Sequence, residues 1–246
     1  MPQQPDPQVE AIVEGRHDDP FSFLGMHQTA TGICVRAMFP AAQEMAVVES
    51  ATGKIAAKGV RAHRDGLFVA TLADRREPFR YRLRISSGAF RNEFDDVYRF
   101  SPVLGELDIY LLVEGNHLAS YQKLGAHSIV HEGTEGVAFA LWAPNARRVS
   151  VVGDFNAWDS RRMPMRRREA SGFWELFVPG LRPGRLYKYE ILGADGRLLP
   201  LKADPHAERS ERPPGTASVV ADPSRHIWHD GAWMACLLYT SDAADE

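Results

Sequence analysis

The residue types best suited to chemistry fall in one stretch, Gly153-Asp154-Phe155-Asn156-Ala157-Trp158-Asp159, directly after the valine-rich run Val149–Val152. An indole in what should be an exposed turn normally has a partner, because its apolar body is poorly hydrated. A pyranose ring is a suitable one. Its flat array of C–H groups packs on the indole face while amide, carboxylate and ammonium groups satisfy its hydroxyls. Trp158 is the candidate platform and Asn156 a candidate hydroxyl partner. Lys188, placed on the wet face of a later strand by alternation, is within reach of a ligand held near that loop. Two alternatives stay open: Trp158 folds back as a plug over the end of its domain, and Lys188 is a solvated strand residue. Asp154 and Asp159 share a single turn, which suits Asx-type capping better than a general acid and base.

Other chemistry finds little support. No Gly-rich phosphate loop follows a strand, no Cys/His cluster has metal spacing, and no serine elbow occurs. Catalytic residues, cofactors and metals are therefore not expected. Cys34 and Cys236 are the two cysteines, too few for a disulfide framework. The run Arg161–Arg168 is basic but has no aromatic platform within it, and it reads as a solvated loop. A formal net charge of −3, from 29 basic and 32 acidic side chains, gives no global field toward nucleic acid or an anionic membrane. No apolar run approaches the ~18–20 residues of a membrane span. The start MPQQPDPQVEA lacks the basic and apolar parts of a secretory signal. A cytoplasmic setting is the simplest expectation.

The elements that must position the loop are written twice. Glu14-Gly15-Arg16-His17 returns as Glu114-Gly115-Asn116-His117, and Leu24-Gly25-Met26-His27 returns as Leu124-Gly125-Ala126-His127. Further on, Phe39-Pro40 matches Ala143-Pro144, Gly66-Leu67-Phe68 matches Gly172-Phe173-Trp174, and Tyr81–Ile85 matches Tyr187–Ile191. The offset grows from 100 (Glu14 to Glu114) to 106 (Tyr81 to Tyr187), as small loop insertions would produce. Each copy opens with a helical turn, Val9, Ile12 and Val13 before Gly15 and Ile109, Leu112 and Val113 before Gly115, where glycine can end a helix.

Strand patterns follow. Phe79, Tyr81, Leu83 and Ile85 alternate with Arg80, Arg82, Arg84 and Ser86, and Tyr187, Tyr189 and Ile191 alternate with Lys188 and Glu190. Ile33–Phe39, Met45–Val48, Leu67–Leu72, Val137–Trp142, Val149–Val152 and Trp174–Val178 are further strands. Many short strands with turns between them predict an all-β chain of two tandem immunoglobulin-like β-sandwiches with short helical turns. Trp142 and Trp174 are expected in the core. His27 and His127, repeated in both copies, are expected to be structural. The copies differ after Met45–Val48 and Val149–Val152: the first turns through the plain polar Glu49–Lys54, the second through the Trp158 stretch.

At these residues the chain resembles the amino-terminal part of the bacterial glycogen branching enzymes, the 1,4-α-glucan branching members of the α-amylase superfamily. Gly15-Arg16-His17-Asp18-Asp19-Pro20-Phe21 and Leu24–His27 are similar to that family's first amino-terminal domain. Phe139–Ala146 with Val149–Trp158 resembles its glycogen-binding sandwich, carbohydrate-binding module family 48, and Lys202-Ala203-Asp204-Pro205 and the Trp228…Trp233-Met234 junction also fit. A related debranching or trehalose-forming hydrolase fits less well, because the first copy argues against it.

The resemblance implies domains at 1–104 and 105–226, then a linker at 227–235 toward a catalytic (β/α)₈ barrel that the sequence does not contain. The tail Cys236–Glu246 shows no helix or strand pattern; a frame or assembly artefact is one reading of it, a genuine acidic tail the other. In the full-length parent the barrel would be this region's partner within the same chain. It would cut α-1,4-glucan and join the segment to a 6-hydroxyl in glycogen biosynthesis, with paired carboxylates in a retaining mechanism. The fragment alone is expected to bind α-glucan, glycogen or amylose-like chains, and to be inactive. A free-standing glycogen-binding or regulatory module is the alternative. Related sandwiches hold glucan with a Trp in the aromatic turn, a Lys on the later strand and a second Trp. Trp158 and Lys188 match the first two, and the third falls near Leu198 or Leu199.

Overall fold

The computed structural model describes residues 6–168, 171–222 and 229–242. Strands dominate. In the first half α1 (Pro7–Val13) leads into β1 (Gly25–Thr29), β2 (Gly32–Met38), β3 (Glu44–Glu49), β4 (Ile55–Lys58), β5 (Val60–His63), β6 (Leu67–Leu72), β7 (Tyr81–Ser87) and β8 (Phe90–Asp95). In the second, α2 (Glu106–Val113) precedes β9 (Gly125–His131), β10 (Thr134–Trp142), β11 (Ala146–Gly153), β12 (Arg166–Arg168), β13 (Phe173–Pro179), β14 (Leu186–Gly193) and β15 (Ser218–Val219).

The sheets repeat as the sequence does. One sheet of the first half runs β1-β2-β6-β5, and its counterpart runs β9-β10-β13-β12 in the same order. The opposing sheets run β4-β3-β7-β8 and β11-β14-β15. Inward residues of each pair interlock. Ile33, Val35, Phe68 and Ala70 meet Met45, Val47, Tyr81 and Leu83 in the first core. Val137, Phe139, Trp174 and Leu176 meet Val149, Val151, Tyr187 and Tyr189 in the second. Two antiparallel β-sandwiches in tandem result, with no (β/α)₈ barrel among the described residues.

Small devices recur in both copies. Gly15 (φ 64°) and Gly115 (φ 71°) follow α1 and α2 in the left-handed conformation that ends a helix. The ring Nε2 of His27 bonds the Leu24 carbonyl at 2.9 Å, and His127 bonds the Leu124 carbonyl at the same distance. Each sandwich also buries a tyrosine–carboxylate bond: Tyr81 donates to Asp96 at 2.6 Å and Tyr187 donates to Asp204 at 2.7 Å.

Three expectations need correction. Trp174 is fully buried, but Trp142 is 58% exposed. Counting along β10, Val137, Phe139 and Leu141 point into the core, so Trp142 shares the outer face with Ala138 and Ala140. The segment joining the two sandwiches, 101–124, covers Ala140 on that face with Leu104, Leu124, Ile109 and Leu112, and leaves Trp142 open.

The basic run is not a solvated loop. Arg168 is buried against Glu175, bonding it at 2.7 Å and the Leu104 carbonyl besides. Arg166 bonds the Phe100 carbonyl at 2.8 Å and lies over the Phe21 ring. Arg161 is bound to Asp159.

The segment without an expected pattern contains a helix, α3 (Gly231–Asp242). Ala232, Met234, Ala235, Leu237 and Leu238 all have high helix propensity. Trp228 and the last four residues, 243–246, lie outside the described residues.

Candidate glucan-binding loop

β11 carries the loop. It pairs with β14, placing Val152 opposite Lys188 and Gly153 opposite Tyr187. A side chain at Gly153 would collide with the Leu186 carbonyl and the Phe155 ring, so the turn starts where only glycine fits. Phe155 then drops toward the second core and stacks on Phe139 with ring centroids 6.4 Å apart.

Asn156 is completely buried. Its Oδ1 accepts the Gly153 N–H at 2.9 Å and its Nδ2 donates to the Val151 carbonyl at 2.9 Å. Both ends of the amide are thus engaged by the backbone around it, and the side chain holds the turn from below.

Ala157 and Trp158 both stand at φ 58°. Two successive non-glycine residues in the left-handed region cost about 1–3 kcal/mol each and persist only where the surroundings over-determine them. Those surroundings are explicit. Trp158 N–H donates to the Gly153 carbonyl at 3.0 Å, beside the two Asn156 bonds. The result is an indole 40% exposed on a tightly held backbone.

The carboxylates have structural work. Asp159 Oδ1 accepts from Arg161 N–H at 3.0 Å and Arg161 Nε at 2.9 Å, and its Oδ2 accepts from the guanidinium at 2.8 Å. Burial alone would raise the Asp159 pKa, but the Arg161 bonds and charge outweigh it and hold the carboxyl below its ordinary value. Asp154 pairs with Arg185 at 3.5 Å. Neither is arranged as a proton donor.

Trp158 and Asn156 therefore share one loop, the first outward and the second beneath it. Lys188 stands on the neighbouring strand with its Nζ donating to Thr216 Oγ1 at 2.6 Å. Leu198 and Leu199 are exposed aliphatic residues beyond the β14 hairpin, where Leu199 N–H bonds the Ile191 carbonyl. The first sandwich has no such platform: between Glu49 and Lys54 it closes a tight polar turn with a backbone bond of 2.9 Å. No group of three or more His, Cys, Asp or Glu among the described residues could hold a metal ion. No described helix is long and apolar enough to cross a membrane. The Asp159–Arg161 clasp and the left-handed pair were not anticipated; the Asp-x-Arg spacing was the one signal available.

Residues 5–98 match the family described as alpha-1,4-glucan branching enzyme GlgB, N-terminal domain. Residues 123–207, which include the loop, match Carbohydrate-binding module 48 (Isoamylase N-terminal domain). Over nearly all its length the chain is similar to the amino-terminal region of the 1,4-alpha-glucan branching enzymes. It is 49% identical over 232 residues to the enzyme of that name from Rhodospirillum rubrum, covering 92% of this chain and 31% of that enzyme. The Cereibacter sphaeroides branching enzyme is 53% identical over 231 residues, covering 94% of this chain and 32% of that enzyme. This chain thus spans about a third of the length of the branching enzymes it matches.

Proposed function

We propose that this chain is the glucan-holding amino-terminal part of a cytoplasmic 1,4-α-glucan branching enzyme of glycogen biosynthesis. In such an enzyme, α-1,4 segments are cut and joined to 6-hydroxyls by paired carboxylates on the loops of a (β/α)₈ barrel. In this reading the two sandwiches contribute binding and not bond cleavage. The observation that carries the reading is the exposed Trp158 on a strained, buttressed loop, in the sandwich that matches a carbohydrate-binding module. An apolar face of a glucose unit packs on the indole, and the Lys188 ammonium, exchanging Thr216 for sugar, meets a hydroxyl. Asn156 acts through the loop and not on the sugar. The two sandwiches would keep glucan near a barrel in the same polypeptide.

The test is glycogen co-sedimentation of the purified chain with maltoheptaose as competitor, run beside an amylose incubation assayed for new α-1,6 linkages. Co-sedimentation that maltoheptaose reverses, without new branches, is the expected result. Branch formation, or no retention by glycogen, would contradict the reading.

A further inference from the structure

The first sandwich has a plain polar turn where the second has the Trp158 loop, yet it packs directly behind that loop. Gly15, just after α1, packs so closely that a methyl group there would stand 3.3 Å from Arg161 Cγ and 4.0 Å from Arg148 Cζ. Ile12, His17, Pro20 and Leu24 of the first sandwich share a small cavity with Arg148, Ser160, Arg161 and Pro164 of the second. The Arg162 guanidinium lies over the Phe39 ring, 6.0 Å from its centroid, and Phe39 is itself packed edge-on to Phe94. Arg147 reaches Asp18 at 3.3 Å. Arg161 is held above its ordinary pKa by its hydrogen bonds to Asp159 first, and also by the charge of Asp65 in the first sandwich.

These contacts fall on the residues that follow the indole. Asp159 comes directly after Trp158 and is clasped by Arg161; Arg162 N–H bonds the Asp159 carbonyl at 3.2 Å. The left-handed Ala157–Trp158 pair is therefore fixed on one side by Asn156 and on the other by a segment pressed against the first sandwich.

We infer that the first sandwich is a working part of the glucan site: Gly15 and Phe39 position Trp158 through Arg161 and Arg162 without touching sugar. The inference rests on Trp158 being the glucan platform, and it gives the first sandwich a positioning role beyond that of a spacer.

The test uses the full chain with Phe39→Leu, Arg162→Ala and the double variant. Amide exchange at Gly153–Arg162, a readout independent of sugar, is measured with maltoheptaose affinity and the thermal midpoint. Each single variant should speed exchange of the Trp158 amide and weaken binding about three- to tenfold, with the double no worse than the weaker single. The midpoint should stay near that of the parent for Arg162→Ala, which keeps the test valid if Phe39→Leu loosens its own core. Unchanged exchange in Arg162→Ala, or full additivity in the double, overturns the inference. Faster exchange with binding indifferent to Trp158→Ala would uphold the buttress and remove the sugar-site reading instead.

Discussion

Asn156 Oδ1 accepts the amide proton of Gly153 at 2.9 Å, closing from within the turn on which Trp158 stands. The same side chain donates to Val151, so removing it strands one buried donor and one buried acceptor. Leaving such groups unpaired costs about 1–3 kcal/mol each. Asn156→Ala should therefore destabilise the chain by about 2–6 kcal/mol in urea unfolding and weaken glucan binding as well. A stable variant that has lost binding alone would place Asn156 on the sugar.

Lys188 makes one described contact, to Thr216. That bond is exposed to solvent, so its loss should matter little to folding, whereas a hydrogen bond from the ammonium to a bound sugar contributes about 1.5–3 kcal/mol. Lys188→Met is expected to leave the thermal midpoint within about 2 °C. Its maltoheptaose affinity, measured calorimetrically, should fall at least about fivefold. An affinity equal to that of the parent would exclude Lys188 from the site.

The segment joining the two sandwiches is tied to the second one through Glu175. Its Oε2 accepts from Val103 and Leu104 N–H at 2.8 Å each, and its Oε1 meets Arg168 at 2.7 Å. Truncating Glu175 strands the Val103 and Leu104 N–H groups, at about 1–3 kcal/mol each, while Arg168 keeps the exposed Glu106 carboxylate as a partner. Glu175→Ala should lose stability on that scale in urea unfolding. A cost under about 1 kcal/mol would mean that solvent reaches those two N–H groups once the carboxylate is gone.

Asp96 supplies a pH dependence. Burial raises its pKa from 3.8 to about 6, against the lowering effect of bonds from Tyr81 and Tyr98 N–H. The folded state thus prefers the protonated acid. The stabilisation is complete below about pH 4 and is lost as pH rises through about 6, at roughly 1.4 kcal/mol for each pH unit between those two values. Asp96→Asn, in which Tyr81 can turn to accept, should flatten this slope in thermal midpoints between about pH 4 and 6. An identical slope in the variant would show that other groups set it.

Much of the fold was legible because its determinants are local. The alternation of Tyr81, Leu83 and Ile85 with arginines, and the glycines after α1 and α2, give element type and ends directly. The edge strands β4, β5 and β8 were not read, since residues such as Lys58, Arg61 and Asn92 face water and carry no apolar period. Trp142 was misplaced because β10 is covered on both faces, so its apolar run does not say which face ends uncovered. Arg166 and Arg168 were misread because their partners, Phe100 and Leu104, lie more than sixty residues away. In the loop, residue types make Trp158 the candidate platform, and the fold leaves its indole 40% exposed. Asn156 is a candidate hydroxyl partner by type, and the fold buries it with both ends of its amide on backbone groups, a distinction that only burial reveals.

The central claim is that the exposed indole of Trp158 is the surface on which an α-glucan is held. Calorimetric titration of maltoheptaose into the chain and into Trp158→Ala, with thermal midpoints of both, tests it most directly. The account predicts binding to the parent that weakens at least about tenfold in the variant, as truncation of a dominant aromatic contact does, with the midpoint nearly unchanged. A large fall in midpoint with unaltered affinity would contradict it, and would make Trp158 a plug on the end of the sandwich.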